Sequence, residues 1–61
     1  MTDEQETVLL IRGAIASMEE EDRTLTTAAY GRIIALEVEY GQVNTRMAVA
    51  LRGAELAAAA D

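Results

Sequence analysis

Val8, Ile11, Ile15 and Met18 recur at intervals of three and four, so on a helix they share one stripe, which Leu9 and Leu10 widen. Ahead of them, Thr2 and Gln5 have the spacing of a capping box, and Asp3, Glu4 and Glu6 place negative charge where a helix N-terminus favours it. The pattern predicts a first helix over about residues 3–17. A second apolar stripe follows in Leu25, Ala29, Ile33, Leu36 and Tyr40, with Ala28 and Ala35 beside it, and predicts a helix over about 19–40. Gly41, directly after Tyr40, reads as a positive-φ terminator. Asn44 reads as the N-cap of a third helix, over about 44–59, carrying Met47, Ala50, Leu51, Ala54 and Ala58.

The boundary between the first two helices falls in Ser17-Met18-Glu19-Glu20-Glu21-Asp22. Ser17 and Glu20 have the spacing of a second capping box, and four consecutive acids suit the start of a helix better than its end. A break near Ser17–Glu19 is therefore expected, and one helix running straight through is the competing reading. Short turns between three helices predict an all-α fold, a small antiparallel hairpin or three-helix arrangement forming one domain over residues 1–61.

Composition sharpens this picture. The chain has 61 residues, among them 14 Leu, Ile and Val and 12 Ala, but no His, Cys, Trp, Phe, Pro or Lys. A domain this small buries only about 60% of its unfolded surface, and natural chains of this length usually add a disulfide, a metal or a second subunit. Cysteine is absent, and a transition metal without His or Cys is not expected, so homodimerisation, or folding onto a larger partner, is the expected remedy. The formal net charge of −6 disfavours direct contact with nucleic acid or anionic membrane and suits a basic surface on a protein partner. No apolar run is long enough to span a bilayer and no basic segment resembling an export signal precedes Val8, so a cytoplasmic location is expected.

Candidate chemistry is sparse. Ser and Thr have no His or Lys to activate them, and Glu37 and Glu39 diverge on a helix instead of pairing. No catalytic residue, metal site or cofactor is expected. The run Glu19–Asp22 lacks the alternating carboxylates and Gly turn of a calcium loop, so helix-start electrostatics is the simpler reading. Together with Glu37, Glu39 and Glu55, it offers a further reading as a mimic of nucleic-acid phosphates. Tyr30, Arg32, Glu37 and Tyr40 are candidates for a partner-binding patch, since Tyr and Arg are enriched at interaction hot spots. Tyr40 sits on the apolar stripe, whereas Tyr30 lies off it and suits an exposed anchor. Ala50, Gly53, Ala54 and Ala57 form a small-residue stripe that lets two backbones approach, either within the chain against Gly13, Ala14 and Ala16 or between copies. Ile33 and Leu36 are expected to join that helix packing.

The order Asp22-Arg23, Ala28-Ala29, Ile33, Leu36, Tyr40-Gly41 and then Met47 through Ala57 resembles short acidic proteins encoded by phages and prophages of proteobacteria, quorum-sensing anti-activators among them. The resemblance spans roughly residues 8–58, and Tyr-Gly and Ala-Leu-Arg-Gly-Ala-Glu are its most specific segments. Glu19 stands where such proteins have a helix-initiating proline. The resemblance implies a dimeric helical protein that disables a host regulatory protein by binding it, with no contact residue carried over. A small chaperone holding a type III secretion needle subunit is the alternative that the apolar stripes suit.

Overall fold

The computed structural model describes residues 1–60, which form three helices and no strand: α1 (Asp3–Ala16), α2 (Glu20–Tyr40) and α3 (Gln42–Ala60). The capping box forms as expected. Thr2 Oγ1 accepts from the Gln5 N–H at 3.1 Å, and Gln5 Oε1 accepts from the Thr2 N–H at 2.8 Å. Asp3, Glu4 and Glu6 occupy the first turn of α1.

The break between α1 and α2 lies at Ser17–Glu19, but the second capping box does not form there. Ser17 keeps near-helical backbone angles as the C-cap of α1, and its hydroxyl donates to the Gly13 carbonyl at 2.9 Å. That bond takes the side chain away from α2. Glu19, extended at φ −61° and ψ 152°, caps α2 without a side-chain hydrogen bond. What favours α2 here is charge: Glu20, Glu21 and Asp22 fill its first turn beside the positive end of the helix dipole. Two weak polar links span the break, from Arg23 Nη1 to the Ala16 carbonyl at 3.4 Å and from Thr26 Oγ1 to Met18 Sδ at 3.6 Å.

A single residue separates α2 from α3. Gly41 has φ +92°, which L side chains rarely adopt, and its N–H donates to the Glu37 carbonyl at 2.9 Å. Its own carbonyl accepts from Thr45 N–H at 3.1 Å, so the residue that ends α2 also opens α3. Asn44 is therefore not the N-cap that its residue type predicts. It lies inside the first turn of α3, and its Nδ2 donates to the Tyr40 carbonyl at 2.9 Å, satisfying one of the last acceptors of α2.

The helices do not fold onto one another along their lengths. α2 and α3 meet mainly at the Gly41 corner, where nearly all their close approaches join residues fewer than 12 positions apart. α1 touches α2 alone among the described residues. The 31 × 31 × 24 Å extents match two helices of about 31 and 28 Å diverging from a corner. The radius of gyration is 13.1 Å, against about 10.5 Å for a compact chain of this length.

The consequence is a protein with no core of its own. Among the described residues, no apolar side chain is buried, and Thr45 is the one buried side chain, at 5% exposure. Ile15 and Ile33 are half-buried, while the other large residues of the three apolar stripes are exposed. The chain exposes 5496 Å², where a compact 6.6 kDa monomer exposes about 3,900 Å².

Candidate interaction surface

The open angle between α2 and α3 makes an apolar groove of about 740 Å³. From α2 it takes Ile33, Leu36 and Tyr40, the C-terminal half of that helix's apolar stripe. From α3 it takes Thr45, Ala48, Val49, Gly53 and Leu56, at the three- and four-residue spacing that keeps them on one face. Asn44 and Arg52 complete the lining. Arg52 Nη1 lies 3.6 Å from Glu55 Oε1, with both side chains more than half exposed, a pairing worth well under about 1 kcal/mol. Thr45 Oγ1 has no hydrogen-bond partner.

The apolar stripe that the sequence places on α3 is not the one that lines this groove. Met47, Leu51, Ala54 and Ala58 are not on the side turned to α2, and Met47 and Leu51 are 66% and 64% exposed. Residues two apart lie about 200° apart around a helix, so the register set at Gly41 decides which stripe faces inward. Starting α3 at Gln42 turns Thr45, Ala48 and Val49 toward α2. Thr45, Ala48, Val49 and Leu56 share this face by their spacing, and Thr45 and Arg52 make it less apolar than the Met47–Leu51 stripe.

The candidate packing residues separate accordingly. Ile33, Leu36 and Gly53 line the groove, and Ala50, Ala54 and Ala57 do not. The small-residue stripe does not pack on α1 within the chain, because α1 and α3 are not in contact. A Cβ built on Gly53 meets nothing within 4 Å, so this glycine relieves no crowding inside one chain.

The candidate partner patch is spread along α2. Tyr30 is 56% exposed, as expected of an anchor off the apolar stripe, and Arg32 is exposed close by in the chain. Glu37 is half-buried near the corner and accepts the Gly41 N–H through its backbone carbonyl. Tyr40 lines the groove at 60% exposure and is not a core residue. A separate apolar surface lies on α1, where Val8, Leu9, Leu10 and Ile11 are all exposed and together cover most of the helix circumference. Glu19, Glu20 and Glu21 flank a shallow acidic hollow with Thr24 and Leu25 at the start of α2. Among the described residues, no group of three or more acidic side chains is arranged to hold a metal ion.

Comparison with protein-family models, with curated proteins and with solved structures finds no match to this chain. Among the described residues, no helix is long and apolar enough to cross a membrane.

Proposed function

We propose that this chain is a helical protein-binding module that acts by stoichiometric association and not by catalysis. The observation that carries this reading is that none of its described large apolar side chains is buried and most are exposed, on three otherwise well-formed helices. Such surface marks protein interaction sites on soluble chains. The net charge of −6 supports a partner whose surface is basic around an apolar centre, since complementary charge raises association rates and suppresses wrong partners. The resemblance to short acidic phage proteins gives the reading its direction: the partner is a host regulatory protein, held in an inactive complex.

The apolar ring of α1, with Tyr30 and Arg32 on α2, is the surface assigned to that partner. An occluding binder must be present at a level comparable to its target. Titration against a target captured from a bacterial lysate is therefore expected to saturate near one chain per target, and full effect at trace amounts would overturn the mechanism. Tyr30→Ala is expected to weaken the complex by about 2 kcal/mol or more if the ring is a hot spot. Leu10→Asp, which puts a charge within the exposed ring, is expected to abolish capture while leaving the helical content unchanged. Unchanged binding in both variants would move the surface elsewhere.

A further inference from the structure

We infer that the α2–α3 groove is occupied by a second copy of this chain, the two copies docking the same face on each other about a two-fold axis. This inference rests on the groove and the area of the chain, independently of the host-protein reading above.

Area is the first argument. The chain exposes about 1,600 Å² more than a compact monomer of its mass. That excess is spread over all three helices, the α1 surface included, and two copies hiding half of it against each other would bury about 1,600 Å² in total, the size of a standard specific interface. Covering only part of the excess is thus enough for a second copy to make an interface of ordinary size.

Charge is the second argument, and it separates a second copy from a basic partner. Arg52 is the one charged side chain lining the groove, and Glu55 lies against it. The acids are concentrated at the starts of α1 and α2, on Asp3, Glu4, Glu6 and Glu19–Asp22. A groove built for a basic occupant would carry carboxylates in its lining, and none is there. An acidic chain can meet its own copy across this face because the apposed surfaces are nearly neutral. The remaining repulsion between two chains of −6 acts at longer range and is screened by salt.

Shape is the third. Ala48 and Gly53 keep the α3 backbone close to the groove surface, and the space over Gly53 is open, so a helix of the second copy can approach between Ile33, Leu36, Val49 and Leu56.

Sedimentation equilibrium of the full chain from low to high micromolar concentration tests the state directly. The expected mass is twice 6.6 kDa, and association should tighten several-fold as salt rises from about 0.05 to about 0.5 M because the long-range repulsion is screened. A mass of 6.6 kDa throughout, leaving the groove to a foreign helix, would overturn the inference. So would a larger assembly, or association that weakens with salt. Val49→Asp should convert the dimer to monomer. Because that variant could also unfold, crosslinking locates the face: the chain has no cysteine, so Ala48→Cys introduces its sole thiol. A short bis-maleimide should crosslink Ala48→Cys in high yield and Leu10→Cys, on α1, in several-fold lower yield. The reverse order would place the contact on α1 and refute the groove, whatever the outcome of the target titration.

Discussion

Three glycines in this chain illustrate how one residue type takes opposite roles. Gly31 lies inside α2, where a Cβ would meet nothing within 4 Å, so it contributes only backbone freedom that folding must remove. Gly31→Ala is expected to stabilise the fold by about 0.5–1 kcal/mol in urea unfolding. Gly41 holds φ +92°, and Gly41→Ala is expected to cost at least about 1–2 kcal/mol through backbone strain alone. Gly53 has the same open surroundings as Gly31 within one chain but faces the groove, so its alanine variant reports on what fills that space. Thr45 is the other informative residue. Its hydroxyl is buried without a partner, and Thr45→Val, nearly equal in shape, is expected to raise stability by about 1 kcal/mol. A loss of stability would show that the hydroxyl finds a partner across the interface.

At the scale of elements, the three helices differ in what keeps them in place. α1 is well capped but poorly docked. Its N-terminus has the Thr2–Gln5 box and three acids, while its contact with the rest of the chain is limited to the start of α2. Thr2→Ala is expected to remove about 1 kcal/mol of local helix stability. In hydrogen exchange, the α1 amides should lose protection before those around the Gly41 corner, since few apolar contacts hold them. Equal protection in all three helices would show that α1 is docked on something that the single chain does not supply. α2 and α3, by contrast, are joined by one residue, and the Asn44–Tyr40 bond closes the joint. Asn44→Ala should therefore loosen the corner, with the fastest exchange appearing at the end of α2.

For the molecule as a whole, the decisive quantity is surface. An unfolded chain of 6.6 kDa exposes about 9,600 Å², so the 5496 Å² that remains means about 43% is buried, against about 60% for a self-sufficient domain of this size. Among the described residues, no apolar side chain is enclosed. With the proposed association, the melting temperature is expected to rise with protein concentration. A melting temperature independent of concentration, with full helicity, would contradict this. The same deficit explains why the binding surfaces and the folding surfaces are hard to separate here. Each apolar side chain that an isolated chain leaves in water is available to a partner.

Local structure was legible in the sequence because its causes are local. The Thr2–Gln5 spacing, the acids after Glu19 and the glycine after Tyr40 each act within a turn or two of the chain, and they place all three helices and both breaks close to their observed bounds. Two local readings failed for reasons equally local. Ser17 satisfied its hydroxyl backwards on Gly13, and Asn44 did so on Tyr40, leaving neither to cap the helix ahead. Only tertiary structure decided which faces meet. The periodicity of α3 offers two stripes, and the corner at Gly41, by setting the register of Gln42 onward, turns Thr45, Val49 and Leu56 inward and leaves Met47 and Leu51 out. Periodicity tells which residues share a face. It carries no information on what that face touches, because packing depends on the angle between helices and on surfaces that lie far apart in the chain.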